Sequence, residues 1–314
     1  MILFFFRRIA NFIVTLFIAS VIVFAAMNVL PGDPALTILG LDATEDALEA
    51  LRQKLGLNEP LVKRYFLWVG NAITGNFGIS HSFSVPVSEL ITERLPLTVS
   101  LAILGMFCTV ILAFVLGVFA AANHGRYGDW GVMIVSQLGI AIPAFWLSIL
   151  LVLLFAVKLR WLPPGGFPGW ENPADAIRSL ILPTLALTLV QSAVLARVTR
   201  SSMLEVMRQD YIRTARASGF HRSRILWRHT LPNALIPIVT IIGMQFAALV
   251  TGTIVIENVF YLPGLGKLIF QSISNRDLPT VQALVMLFAA IVIIANFIVD
   301  ITYSVIDPRL KDRA

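Results

Sequence analysis

The sequence predicts an all-α polytopic membrane protein with six transmembrane helices. Three observations carry that prediction. Of 314 residues, 57% are hydrophobic and only 13% are charged, where soluble domains carry about 25% charged residues. Six apolar stretches, 9–32, 96–125, 130–157, 179–196, 229–256 and 278–299, contain no Asp, Glu, Lys or Arg. Each is close to or above the ~20 residues a helix needs to cross a hydrocarbon core of about 30 Å. None alternates polar and apolar residues as barrel strands do, and only helices and closed barrels satisfy their backbone in lipid. The same facts exclude a soluble globular enzyme and a disordered chain. A disulfide scaffold is excluded too, because Cys108 is the one cysteine.

The first stretch follows Arg7 and Arg8 and ends in Asn28-Val29-Leu30-Pro31. It is longer than the ~7–15 apolar residues of a signal peptide and lacks a small-x-small cleavage site, so it reads as a retained helix. The segment 33–94 that follows reads as a small external helical domain. Asp42 is placed as an N-cap with Glu45 three residues on, Leu48, Leu51 and Leu55 share a face, and Gly56 ends the run. A second helix runs from Pro60 through Tyr65, Phe66, Trp68 and Val69 to about Thr74. Residues 65–88 also lack charge, but Gly70, Asn71, Gly75, Asn76, Gly78, Ser80 and Pro86 give them loop composition, not that of a span. Such a domain reads as a lid with no ligand of its own. Pro143, Pro183 and Pro237 stand where they would kink the third, fourth and fifth spans.

Lys and Arg set the orientation. With the N-terminus in the cytoplasm, 14 of the 24 basic residues lie inside, while 12 of the 18 acidic residues lie outside. Both termini are therefore expected in the cytoplasm. Among the internal segments, 197–229 stands out. It carries Arg197, Arg200, Arg208, Arg213, Arg216, Arg222, Arg224 and Arg228 against Glu205 and Asp210. Attraction to anionic headgroups accounts for that charge but not for its pattern. Asp210 to Gly219 offers a short helix with an acid at its start and a glycine stop. A second helix is expected from about Ser223 to just before Leu231-Pro232, where the fifth span begins. Two short basic helices joined at a glycine form a bracket on which another protein could push.

The segment from Arg213 to Pro232 resembles the coupling motif of the B-type permease subunits of dipeptide, oligopeptide and nickel ABC importers. In that motif a Glu-Ala-Ala-like triplet is followed, after three residues, by Gly, then nine residues and Ile-x-Leu-Pro. Here the triplet is Arg213-Thr214-Ala215, the glycine is Gly219, and the end is His229-Thr230-Leu231-Pro232. The Glu and the Ile are absent. The resemblance extends along the chain through Leu30-Pro-Gly-Asp-Pro34, Leu55-Gly-Leu-Asn-Glu-Pro60, Gly75-Asn-Phe-Gly78, Ile142-Pro-Ala-Phe-Trp146, Glu257-Asn-Val-Phe-Tyr-Leu-Pro-Gly-Leu-Gly266, Arg276-Asp-Leu-Pro279 and Asp307-Pro-Arg309.

The resemblance implies a type I ABC importer permease fold in a bacterial cytoplasmic (inner) membrane. Its layout would be an N-terminus and first helix at 1–32, the external helical domain at 33–94, a five-helix core at 95–304 with its coupling loop at about 201–230, and a tail at 305–314. It further implies ATPase-coupling residues at Tyr211, Arg213, Thr214, Ala215, Arg216, Gly219, Leu231 and Pro232. The implied partners are a related C-type permease forming a heterodimer, two ATPase subunits and an extracytoplasmic solute-binding protein, with the lipid bilayer around them and no nucleic acid. The implied function is half of a translocation pathway for a peptide-like or related small solute.

No engine is visible in the chain itself. Gly264-Leu-Gly-Lys267 is reminiscent of a phosphate loop, but Tyr261 stands where that loop needs Gly and Leu268 where it needs Ser or Thr. No cofactor is expected in this chain, ATP and Mg being bound by partner subunits, and neither a metal site nor a catalytic constellation is expected. His124 and His229, at span ends, read as interfacial. A stand-alone channel or ion-coupled carrier is the alternative. A carrier usually keeps ionisable groups at membrane depth, and the six stretches as drawn have none. Candidate pathway-lining residues are Gln137, Gln191, Gln245 and Thr251, although such polar groups also hydrogen-bond between helices. The solute is not legible.

Overall fold

The computed structural model describes residues 2–29, 34–40, 43–54 and 56–306. Asp42, Leu55, residues 30–33 of the Leu30–Pro34 motif, the Asp307-Pro-Arg309 motif and the tail from 307 lie outside the described residues.

The described residues form helices joined by loops, and their one pairing of extended backbone is an isolated bridge between Ile79 and Pro86. Helix α1 (Ile2–Val29) is followed by α2 (Pro34–Leu39), α3 (Glu45–Lys54) and α4 (Leu61–Ile73). Then come α5 (Val87–Ala122), α6 (Tyr127–Ala141), α7 (Ala144–Leu151) continuing as a π-helix over Val152–Lys158, and α8 (Pro173–Met207). Helix α9 (Asp210–Ala217) and the single turn α10 (Arg222–Arg224) precede a π-helical segment, Ile225–Thr230, that runs into α11 (Leu231–Val259). Helices α12 (Leu265–Ser274) and α13 (Leu278–Ile306) complete the chain.

Five helices are individually long and apolar enough to span: α1, α5, α8, the α10–α11 run and α13. The sixth span is not straight. Helices α6 and α7 meet at a bend of 104°, because Pro143 holds Ile142 before it in extended backbone (φ −84°, ψ 123°). Pro183 and Pro237, by contrast, lie inside the unbroken helices α8 and α11, where one lost backbone bond is tolerated within a packed bundle.

The core forms where α5, α8 and α11 meet. Toward one end Leu97, Leu101, Leu180, Leu187, Leu249 and Ile256 pack with Leu265 of α12 and Leu284 of α13. Toward the other, Ala113, Ala121, Ala196 and Ala234 pack with Leu195, Met203 and Ile238. Small residues set the spacing, since lipid gives apolar helices no solvent-driven reason to associate and close packing must hold them. At Gly117 a Cβ would lie 2.6 Å from the Cβ of Thr199, so α5 and α8 touch backbone to side chain there.

Both helices expected between the first and second spans are present as α3 and α4, and α2 is an additional one. Helix α4 lies along the flank of α1 rather than above it. Tyr65 OH is 2.7 Å from Ser20 Oγ, the Phe24 and Trp68 rings are 5.8 Å apart, and α4 buries no residue of its own. The fifth helix also reaches further than the charge-free stretch did. Glu257 lies in its last turns, fully buried, so this span does end on an ionisable group.

Candidate functional site: a coupling helix and its supports

Helix α9 starts where Gln209 turns to extended backbone (φ −68°, ψ 148°) after α8. Asp210 sits in its first turn, where a negative charge suits the exposed N–H groups, and Arg213 Nη1 pairs with Asp210 Oδ1 at 3.2 Å. Ile212 and Ala215, three apart, are buried and pack on Ile225. That contact fixes which face looks outward: Tyr211, Arg213, Thr214 and Arg216 are all exposed. Of the Arg-Thr-Ala triplet, therefore, the alanine is the anchor and the other two residues face away from the chain.

The glycine stop is present. Gly219 has φ +80°, and the N–H groups of Gly219 and Phe220 donate to Arg216 O (3.0 Å) and Ala215 O (3.3 Å). A Cβ at Gly219 would meet nothing within 4 Å, so the requirement for glycine is the left-handed backbone and not space. Beyond it, the Phe220 ring stacks on His229 at 5.5 Å and 17°, with the Arg224 guanidinium 4.9 Å over the same ring.

The expected second short helix is not separate. From Arg222 the chain runs without a break into α11, passing through the π-helical turn before Pro232. Proline cannot donate a backbone bond, and a wider turn next to it keeps the helix continuous. Leu231 packs on the α5–α8–α11 core, and Pro232 is exposed in the first turn of α11.

A buried carboxylate between α6 and α8 carries an ion pair that no sequence motif announces. Asp129, 3% exposed, receives Arg200 Nε at 2.5 Å and Nη2 at 2.7 Å. It also accepts from the Gly125 N–H at 3.0 Å. His124 Nδ1 is 3.1 Å from both the Asp129 carboxylate and Arg200 Nη2, so this histidine belongs to the cluster and is more than interfacial. Past α9 in the chain, Arg222 donates to the Ala122 carbonyl. The α5–α6 turn is thus held by one arginine that precedes α9 in sequence and one that follows it. Both charges lie near the edges of charge-free stretches, a position that does not by itself tell a buried charge from a solvated one.

At the opposite end, two buried carboxylates join segments that are far apart in the sequence. Asp277 accepts from the Ser80 hydroxyl, from Thr280 Oγ1 at 2.9 Å and from the His81 and Ser82 N–H groups at 3.2 and 3.4 Å. Burial holds the His81 pKa below its ordinary value, with Asp277 opposing. Glu257 accepts from Thr98 Oγ1 at 2.6 Å and from the N–H groups of Gly266 and Lys267 at 2.6 and 3.2 Å, capping α12. At Gly264 a Cβ would lie 2.3 Å from the Glu257 carboxyl carbon, so only glycine fits there.

The candidate pathway residues divide. Gln245 is buried and its Nε2 donates to the Gln191 carbonyl at 3.1 Å, while its Oε1 has no partner among the described residues. Gln137 and Thr251 are exposed, and Thr251 donates to Ala247 O of its own helix.

Residues 113–312 match the family described as binding-protein-dependent transport system inner membrane component. Residues 1–102 match the corresponding N-terminal family. The chain belongs to this permease family. It is 43% identical over 306 residues to a Brucella abortus (strain 2308) protein described as a peptide transport system permease, covering 97% of this chain and 98% of that one. It is 41% identical over 305 residues to the glutathione transport system permease protein GsiC of Escherichia coli (strain K12), covering 97% of each. A chain of the MetNI methionine ABC transporter in an inward-facing conformation superposes with a TM-score of 0.58 at 19% identity, over 69% of this permease and 96% of that chain. The fold is that of ABC importer permeases, and the protein is a multi-pass membrane permease, as the sequence motifs implied.

Proposed function

We propose that this permease forms half of the translocation pathway of an ABC importer for a small peptide-like solute and is driven by separate ATPase subunits that grip α9. The observation that carries this reading is the build of α9. Its inner face is fixed by Ile212 and Ala215, its outer face offers Tyr211, Arg213, Thr214 and Arg216, and it links the ends of α8 and α11. A force on that outer face passes directly into the two central helices.

In this reading α9 and both termini are cytoplasmic, six spans returning the chain to the side it started from. The ends of α1 and α5 that face each other across the 33–86 segment are then external, as are α12 and the Asp277 and Glu257 clusters, while α4 lies back along α1. The partners are a C-type permease in a heterodimer, two ATPases and an external binding protein. The chain has no ATP site of its own. The one loop reminiscent of a phosphate cradle spends its Gly266 and Lys267 N–H groups on Glu257, and donors already bonded to a carboxylate are not free for phosphate. The same bonding argues against an ion-coupled carrier, because Glu257 is committed as a helix cap. The names of the peptide and glutathione relatives support the solute class. Gln245 is the better-supported pathway residue, since its unpartnered amide oxygen is a group a solute or water could use.

The test is reconstitution in liposomes with and without each partner. Uptake of labelled peptides or glutathione should require ATP, the ATPases and the binding protein together, and the permease alone should hydrolyse no ATP. Uptake by this chain alone, or ATPase activity in its purified form, would refute the reading.

A further inference from the structure

A recess of about 740 Å³ opens at the end of the molecule away from α9, read above as external. That volume lies in the range of small-molecule sites, about 300–1,000 Å³. Its walls are the end of the π-helical segment at Ala156, the loop through Arg160, Pro163 and Phe167, and the start of α8 at Asp175, Arg178 and Ser179. The loop is not free to collapse into it. Gly166 N donates to Phe260 O at 2.8 Å, and at Gly165 a Cβ would lie 2.3 Å from the same oxygen, so the loop is pressed against the end of α11.

The charges on this recess are exposed to solvent and open to a ligand. Arg178 gives Nη2 to the Trp161 carbonyl at 2.7 Å, which orients its guanidinium and leaves its other N–H groups. Asp175 accepts from Asn172 Nδ2 at 2.7 Å through one oxygen, leaving the other. No ion pair joins Arg160, Arg178 or Asp175 to any described residue. Arg160 is also held at φ +55°, a conformation that a non-glycine residue adopts at a cost. It stands two residues past the end of the π-helical segment Val152–Lys158. Backbone strain and π turns both concentrate at functional sites.

We infer that this outer recess binds the paired end charges of a small zwitterionic solute, Arg160 and Arg178 taking its carboxylate and Asp175 its ammonium. Guanidinium groups match carboxylates through parallel N–H donors, and the recess is larger than a single docked acidic side chain requires. This rests on the peptide-importer reading and adds to it a first contact made by the permease itself as solute arrives.

The test uses the complete permease–ATPase assembly in nanodiscs without the binding protein, with alanyl-alanine and its C-terminal amide as probes. Saturation-transfer NMR should show saturable contact for the free peptide and at least tenfold weaker contact for the amide. The double substitution Arg160→Gln/Arg178→Gln should weaken the free peptide at least tenfold and leave the amide unchanged. Asp175→Asn should weaken alanyl-alanine but not its N-acetylated form. Equal contact by acid and amide, or no saturable contact in the wild type, overturns the inference. So does a tenfold loss of binding-protein association in the double variant without an effect on the peptide, which would make the arginines a docking point for an acidic side chain. ATP-driven peptide uptake by the full system, measured in parallel, keeps the two claims apart. Normal uptake with no recess binding ends only the recess claim.

Discussion

Asp129 and Arg200 show what a single pair of residues contributes where α6 meets α8. Removing one partner of a buried ion pair leaves an uncompensated charge and costs about 3–5 kcal/mol, whereas replacing both by apolar residues is often close to neutral. Arg200→Leu should therefore lower the thermal denaturation midpoint of the detergent-solubilised permease sharply. Asp129→Leu/Arg200→Leu should recover most of that loss. If the double variant is as unstable as the single one, the pair is not the unit the geometry describes. None of this was legible in the sequence, because the partners are 71 positions apart and a charge at the edge of a span looks the same whether solvated or buried. Glu257 was missed for the same reason. It stands one residue past the fifth charge-free stretch, and only the fold shows it turned inward onto α12.

The glycines separate backbone requirements from space requirements at the level of single elements. Gly219 needs its left-handed backbone and has room around it. Gly219→Val should cost roughly 1–2 kcal/mol locally and leave membrane levels within about a factor of two of wild type. It should abolish most ATP-driven uptake per assembled complex, and normal specific uptake would remove α9 from the coupling path. Gly165 is limited by space, its would-be Cβ lying 2.3 Å from Phe260 O. Gly165→Ala should destabilise the permease by about 1–3 kcal/mol. Gly131, helical and with nothing within 4 Å, should tolerate Ala or gain up to about 1 kcal/mol. Denaturation midpoints of the two alanine variants check the contrast, and similar values would contradict it. The stop at Gly219 was readable because local backbone chemistry decides it. The bend at Pro143 was readable in position but not in size, since 104° depends on how α6 and α7 pack. The fusion of α10 with α11 was not readable, because a π turn leaves no clear signature in residue type.

For the whole molecule, hydropathy gave the number and order of the spans, because lipid imposes length and apolarity on any helix that crosses it. It gave nothing about how motifs meet. Gly75–Gly78 and Arg276–Pro279 read as separate loops until Asp277 is seen accepting from Ser80. The orientation makes its own prediction. With Cys108→Ala as background, a cysteine at position 267 should react with an impermeant thiol reagent from outside intact cells, and one at 126 only after permeabilisation. The reverse pattern would invert the topology.

The central claim, that ATPase subunits grip the outward face of α9, is tested most directly by cross-linking in the assembled complex. In the same background, Arg216→Cys carrying a short photo-activated reagent should yield a covalent product with an ATPase subunit. Ile273→Cys, exposed on α12 at the opposite end, should yield none. An assembled complex in which position 216 cross-links to lipid or permease alone, and never to the ATPase, would contradict the account.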